Sequence, residues 1–152
     1  MEVSFVQEER AIGHECKVIC NMIKREFKKS AAFDKLEHLT GTHGWIIKYL
    51  YEHREEDVYQ RDIENNFSIR RSTVTGILQL MEKNGLIIRE SVENDARLKK
   101  LRLTEKAIDL HYMIEESIAE TEKKICEGIT EEEKEIFFRI TEKIRNNLDD
   151  RL

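Results

Sequence analysis

The sequence predicts a mainly α-helical protein with one short β-hairpin, and its composition is the first reason. Proline is absent from the 152 residues, glycine occurs 6 times, and 38% of the residues are charged. Sandwiches, propellers and linker-rich arrays use glycine and proline at their turns, so this composition argues against those classes. An apolar fraction of 39% with nearly balanced charges argues against intrinsic disorder. The length suits a single domain over residues 1–152.

Helical periodicity at both ends of the chain is the second reason. Over residues 9–33, apolar side chains recur every three or four positions on one helical face, at Ile12, Cys16, Ile19, Ile23 and Phe27. Residues 107–152 show similar spacing in two helices, which Gly128 separates before a capping box of Thr130 and Glu133. Their combined apolar surface exceeds what one small domain covers, so we expect these end helices to form a homodimer. The alternative is that they fold back on their own domain.

The order of elements predicted within residues 36–106 is the third reason. Leu39 and Thr40 precede a short buried helix that ends near His53, and a second helix covers residues 59–66. A third helix follows, with an apolar face formed by Val74, Ile77, Leu78 and Met81. These three helices predict a helix-turn-helix arrangement in the middle of the chain.

The boundaries of the third helix and the elements after it complete this prediction. Ser68 and Ser72 are candidate caps at its start, and Gly85 suits a left-handed cap at its end. The apolar period then changes to two, which predicts strands over residues 86–90 and 98–103 joined by a polar turn. A helix-turn-helix followed by a β-hairpin is a winged helix-turn-helix, with the hairpin as its wing.

Charge singles out the same part of the chain. The whole sequence carries 26 basic and 31 acidic residues, a net charge of −5, whereas residues 68–106 carry 9 basic and 5 acidic ones, a net charge of +4. An acidic protein with one basic segment can present a local patch to a polyanion such as duplex DNA. The third helix and the predicted wing are therefore the candidate DNA-binding elements.

Several motifs in this region resemble the MarR family of bacterial transcriptional regulators. They are Leu39-Thr40, Ser72-Thr73-Val74-Thr75, residues 80–89 (LMEKNGLIIR), Asp95-Ala96-Arg97 and residues 103–107 (LTEKA). Their order and separations agree with the family pattern, and the flanking helices extend the likeness over nearly the whole chain. The resemblance implies a homodimeric winged helix-turn-helix protein that binds pseudo-palindromic duplex DNA. Such proteins usually act as repressors and are released by small ligands or oxidants.

Polar side chains at the start of the third helix suit the reading of DNA in the major groove. Arg70 and Arg71 can reach phosphates or a guanine edge, and hydrogen-bonding side chains follow at Ser72, Thr73, Thr75 and Gln79. All of them lie off the apolar face. The alternative is an ordinary amphipathic helix with a solvated polar side.

The predicted wing carries a second set of candidate DNA contacts. Arg97 at the hairpin tip can enter a narrow minor groove. Asp95 can hold its guanidinium by a charge-assisted bond, a role that the resemblance also assigns to this pair. Lys99 and Lys100 are expected to contact phosphates, which position a protein without reading sequence. The alternatives are a surface salt bridge in the hairpin and lysines that prevent edge pairing.

Residues that sense a signal are harder to identify. The resemblance places ligands between the dimerisation helices and the winged domain, where the candidates are His14, Cys16, Trp45, Tyr49 and His111. Cys16 lies much as the reactive cysteine does in the organic-hydroperoxide-sensing branch of the family, but Cys20 and Ser30 stand where that branch has tyrosines. We therefore expect a buried, inert Cys16. Ordinary core or surface positions are the favoured interpretation of the other four.

Other functional classes find little support in the sequence. His and Cys residues lack the paired spacing of a metal site, and no phosphate-binding glycine loop or nucleophile elbow occurs, so we expect no metal, no cofactor and no enzymatic activity. No run of about 18 apolar residues or signal-type N-terminus occurs, and three cysteines are too few for a disulfide framework, so we expect a cytoplasmic protein. The main alternative function is a winged helix that binds a protein instead of DNA.

Overall fold

The structure is a computed structural model that describes residues 10–30, 33–34 and 41–149. It divides into two compact units, Met1–Ile118 and Ala119–Leu152, which we describe separately. Leu39 and Thr40, which were predicted to precede the first helix of the winged domain, lie outside the described residues.

The described elements follow the predicted order. Their bounds are α1 (Ile12–Phe27), α2 (Gly41–Glu52), α3 (Gln60–Phe67), α4 (Arg71–Lys83), β1 (Ile87–Val92), β2 (Asp95–Leu103), α5 (Glu105–Ile125) and α6 (Glu131–Leu148). The two strands pair antiparallel in one sheet. The mainly helical winged helix-turn-helix class is therefore confirmed. No helix within the described parts of the chain has the length and apolar character needed to cross a membrane.

One hydrophobic core joins the helices and the wing of the first unit. Its fully buried side chains come from α2, α3, α4, the start of β1 and α5, and include Ile46, Ile63, Leu78, Ile87 and Ile114. Burying a side chain of this size stabilises the fold by roughly 1.5–3 kcal/mol relative to leaving it exposed.

Close packing of α1 against α2 requires a glycine. A Cβ atom at Gly44 would lie 3.3 Å from Cζ of Phe27 and 3.4 Å from a methyl group of Ile114. These distances are tight, so a larger residue would push away Phe27, which is the only buried residue of α1. Gly44 thus lets the C-terminal end of α1 dock on the core.

The two ends of α4 differ in how well they match the sequence prediction. Gly85 has φ +67°, and the N–H groups of Gly85 and Leu86 donate to the carbonyls of Glu82 and Met81, which confirms the predicted left-handed cap of α4. The predicted serine caps are wrong. Ser68 instead ends α3 in the left-handed region at φ 51°, and Arg70 precedes α4 without a side-chain capping bond.

The wing is longer than predicted and contains a bulge. Pairing runs from Ile87 opposite Leu103 to Ser91 opposite Lys99 and then shifts so that Val92 opposes Asp95. Residues 96–98 are therefore left outside the ladder, and the turn itself is residues 93–94. The strand limits of 86–90 and 98–103 were wrong because the polar residues 91–97, which predict a turn, mostly pair or bulge instead.

The second unit contains the end of α5 and all of α6. The predicted capping box is confirmed, since the Thr130 hydroxyl accepts from the Glu133 N–H and the Glu133 carboxylate accepts from the Thr130 N–H. Five large apolar side chains of α6 are exposed: Ile136, Phe137, Phe138, Ile140 and Leu148. The described helix thus presents an apolar face with no cover inside its own unit.

Candidate nucleic-acid interface

Helix α4 presents its polar side because its apolar side is locked in the core. Val74, Leu78 and Met81 are fully buried. With 3.6 residues per turn, this orientation turns the remaining positions of the first turns toward solvent. The exposed residues are those predicted to meet DNA: Arg70, Arg71, Ser72, Thr73 and Gln79.

Thr75 differs from the other predicted DNA contacts. Its hydroxyl donates to the Arg71 carbonyl and accepts from the Gln60 side-chain amide, both at 2.8 Å. The same amide nitrogen lies 3.0 Å from a carboxylate oxygen of Glu64. Thr75 therefore connects α3 to α4, and its hydroxyl proton is already donated to a carbonyl group within α4. Sequence reasoning missed Gln60, since nothing local links residues fifteen positions apart.

Arg97 is exposed in the middle of the bulge, three positions beyond the turn rather than at the tip of the hairpin. The Asp95 carboxylate accepts a 2.9 Å hydrogen bond from the backbone N–H of Arg97, not from its guanidinium. The backbone N–H of a bulged residue has no partner on the opposite strand, so it donates to the nearby carboxylate instead. Asp95 thus positions the backbone of Arg97 in this structure, which corrects the expected side-chain pairing.

The two wing lysines serve different neighbours. Lys99 donates to the Ser91 hydroxyl at 2.6 Å, whereas Lys100 lies 2.7 Å from the Asp57 carboxylate. Arg102 also contacts Asp57, at 3.0 Å. The hydrogen bond from Lys100 is the main cause that holds the pKa of Asp57 below its usual value. Lys100 and Arg102 thus tie β2 to the turn before α3 in the DNA-free protein, and the phosphate contact expected for Lys100 stays a prediction.

A cationic cleft lies between the helix-turn-helix and the wing. Five basic side chains line it, and we call it the wing cleft: Arg61, Arg71, Arg89, Arg97 and Lys99. Its volume is about 220 Å³. Among the described residues that line it, Glu64 supplies the single carboxylate, and that group accepts from the Gln60 amide. Concentrated positive charge in a concave site attracts anions strongly.

The five predicted sensing residues do not form one site. Trp45 and Tyr49 line a cleft of about 260 Å³ beside α3, where the Tyr49 ring stacks on His53 with centroids 4.1 Å apart. Burial raises the pKa of Tyr49. His14 and Cys16 are exposed on α1, so the expectation of a buried Cys16 is wrong for the single chain.

His111 occupies a separate aromatic cluster and is only 1% exposed. Its ring stacks on Tyr51 with centroids 3.8 Å apart, and Nε2 lies 3.3 Å from the Glu115 carboxylate. Nδ1 is buried with no hydrogen-bond partner among the described residues. Burial is the main cause that lowers the pKa of His111 below its usual 6.5. The neutral imidazole is therefore the form that fits this core.

An outward polar helix followed by a basic β-hairpin defines a winged helix-turn-helix regulator. Comparison with known proteins narrows this class. A model of the MarR family matches residues 39–98. The transcription regulator MarR from Oenococcus oeni PSU-1 is 33% identical, and the match covers 90% of this chain and 99% of that one with a TM-score of 0.76. The chain belongs to the MarR family of transcriptional regulators.

Two further solved structures resemble the chain. MepR of S. aureus, solved as a DNA complex, is 26% identical with a TM-score of 0.79, and the match covers 93% of this chain and 99% of that one. A MarR family regulator from Listeria monocytogenes, solved with a 26mer DNA, is 23% identical with a TM-score of 0.78, covering 93% and 91%. At that identity, the second likeness concerns the fold alone.

The link between Gln60 and Thr75 predicts a stability effect. Replacing Thr75→Val keeps the shape of the side chain and removes the hydroxyl, so we expect the free energy of unfolding to fall by about 1 kcal/mol. Ser72→Ala on the exposed side of the same helix is the matched control and is expected to change it by less than about 0.5 kcal/mol. Urea denaturation measures both. Equal effects would show that the hydroxyl does not connect the helices.

The depressed pKa of His111 predicts a pH-dependent stability. Because the unfolded chain takes up this proton at a higher pH than the folded chain, stability is full above about pH 6.5 and falls as the pH drops below it. We expect the melting temperature to fall between about pH 7.5 and about pH 5.5, and to fall less in His111→Gln. Parallel pH profiles for the two proteins would rule out this role for His111.

Proposed function

We propose that this chain binds duplex DNA sequence-specifically as a homodimer and represses transcription from a pseudo-palindromic operator. One juxtaposition carries the proposal: the exposed start of α4 lies beside the cationic wing cleft in a chain whose net charge is −5. A protein with excess acidic charge gains no general affinity for a polyanion. Its basic side chains on the reading elements therefore favour one specific DNA-binding face.

Each element has a distinct role in this proposal. Ser72, Thr73 and Gln79 of α4 read base edges in the major groove, and Arg70 and Arg71 contact phosphates or a guanine edge. Arg97 enters the neighbouring minor groove from the wing, with Asp95 holding its backbone. Lys99 contacts a phosphate. The DNA complex of MepR, whose fold is similar, supports duplex DNA as the partner of this chain.

The homodimer is supported by apolar surface at both ends of the chain. Ile12, Ile19 and Met22 of α1 are each about half exposed, and α6 carries a similar apolar face. A two-fold axis through such helices buries both copies of each face. It also presents two α4 helices to half-sites about 34–36 Å apart, which is one turn of DNA.

We further propose that a small ligand or an oxidant releases the protein from DNA. The cleft beside Trp45 and Tyr49 has aromatic walls that suit a planar ligand. Cys16 is exposed in the single chain, on the apolar face of α1 that the proposed homodimer covers, so oxidation of its thiol would place a polar group in the dimer interface.

Binding to duplex DNA across a salt series tests the main proposal. We expect the logarithm of the affinity to fall linearly with the logarithm of salt concentration. Arg97→Ala should weaken operator binding by about 1–3 kcal/mol without changing the melting temperature, because its side chain is exposed. Lys83→Ala, at the opposite end of α4, is the control and should bind as wild type does.

One outcome would contradict the proposed DNA binding. If no duplex from the genomic neighbourhood binds even at low salt, the chain is a winged-helix module for protein contacts instead.

Release by an oxidant is tested with the cysteine variants. Peroxide is expected to dissociate DNA from wild type and from Cys20→Ser, but not from Cys16→Ser, because both thiols are exposed in the single chain but only Cys16 stands where the family resemblance places a reactive cysteine. A gel-shift titration with peroxide measures this. Equal sensitivity of all three proteins would exclude Cys16 as the residue that senses the oxidant.

A further inference from the structure

Arg89 of β1 has an unusual environment at the inner wall of the wing cleft. Its side chain is only 24% exposed, and Nε lies 3.3 Å from a Glu82 carboxylate oxygen without the alignment of a hydrogen bond. Nε and Nη2 are both shielded from solvent and have no hydrogen-bond partner among the described residues. Unsatisfied buried donors raise the free energy of the DNA-free protein. Arg89 is the last residue of the motif at residues 80–89, and the proposed reading face does not account for this arrangement.

The geometry of a duplex suggests what the wing cleft is for. A sugar-phosphate backbone separates the major groove from the minor groove. When α4 lies in the major groove and the wing enters the adjacent minor groove, one backbone strand must pass between these two elements. The wing cleft occupies that space, since Arg71 of α4 lines one side and Arg97 and Lys99 of β2 line the other.

We infer that the wing cleft binds one backbone phosphate of the DNA and that Arg89 is the residue that completes this site. The inference rests on the proposed DNA binding and adds a specific group of the duplex to it. Arg89 lines the cleft with a side chain that is 24% exposed, and its Nε and Nη2 donors are shielded beside the poorly aligned Glu82 carboxylate. A rotation of the guanidinium on phosphate binding would turn these paired donors toward phosphate oxygens, which they match in geometry. The same oxyanion chemistry also fits free inorganic phosphate, so the experiment separates these two sources.

Binding of an operator and of an unrelated duplex, measured by fluorescence anisotropy over a range of salt concentrations, tests the inference. Arg89→Met removes one phosphate contact per cleft, so the slope of log affinity against log salt should become shallower by about 0.9 per cleft. At about 0.1 M salt this corresponds to a roughly tenfold loss per cleft. The loss should be equal for both duplexes, because a phosphate carries no sequence information.

Stability distinguishes a DNA contact from a structural role. Because Arg89→Met removes unsatisfied donors, the melting temperature should stay equal to wild type or rise. A merely structural arginine would show a lower melting temperature and an unchanged salt slope. Arg61→Met, at an exposed cation of the same cleft, tests the site without altering the buried side chain, and it should also make the slope shallower.

Three further measurements complete the design. Lys83→Met removes a charge outside the cleft and should leave the slope as in wild type. Arg89→Lys keeps the positive charge but lacks the paired N–H donors of the guanidinium. It should therefore keep the salt slope of wild type and lose less DNA affinity than Arg89→Met. Inorganic phosphate, compared with chloride at equal ionic strength, should not raise the melting temperature of the DNA-free protein.

Two results would overturn the inference. If Arg89→Met and Arg61→Met both match Lys83→Met in slope while Arg97→Ala still weakens the operator, DNA binding stands and the phosphate site does not. If inorganic phosphate stabilises wild type but not Arg89→Met, and the slopes are unchanged, the cleft binds a free anion instead.

Discussion

The burial of three side chains on one face of α4 determines what the rest of this protein can present to a partner. Val74, Leu78 and Met81 have no exposed surface, so neither rotation nor sliding of α4 is possible without opening the core. The polar residues of its first turns therefore have one orientation. The hydrogen bonds from Gln60 to Thr75 and from Thr75 to the Arg71 carbonyl hold α3 in a fixed position against α4.

The basic residues of the wing and of the neighbouring helices fall into two groups. At the foot of the wing, Lys100 and Arg102 both pair with Asp57, and Arg102 also pairs with Glu90, so these cations act within the fold. Five cations and one carboxylate, Glu64, are among the described residues that line the wing cleft, and Glu82 lies beside Arg89 outside that lining. Basic residues that are close in sequence thus divide into one set that stabilises the wing and another that gives the domain its positive surface.

Most of the fold could be predicted from the sequence because its signals are local. Helical spacing, the Gly85 cap and the Thr130 capping box each depend on neighbours within a few positions, and the structure confirms them. The wing limits were not predictable in the same way, since the bulge depends on pairing with the opposite strand. Ser68 in the left-handed region is a second miss, because serine gives no strong signal for that conformation.

The candidate site shows the same division. The exposed face of α4 followed from periodicity alone, whereas the inward use of Thr75 and Lys100 depends on Gln60 and Asp57, which lie on other elements. Likewise, no sequence pattern brings Arg61 and Arg89 into one cleft. A single sequence indicates which residues are candidate DNA contacts. The tertiary fold determines which of those residues already pair with other groups of the protein.

The bulge in β2 separates the end of the wing from its base. Pairing is regular from Ile87 to Ser91 and resumes beyond the bulge only at Val92 and Asp95, so residues 96–98 do not contribute to the ladder. Insertions or deletions there leave the buried Leu101 and its hydrogen bond to the Val58 carbonyl in place. The end of the wing can therefore change in length and chemistry without disturbing the base of the wing or the helix-turn-helix, so the part of the hairpin that reaches farthest from the core is also the part least constrained by it.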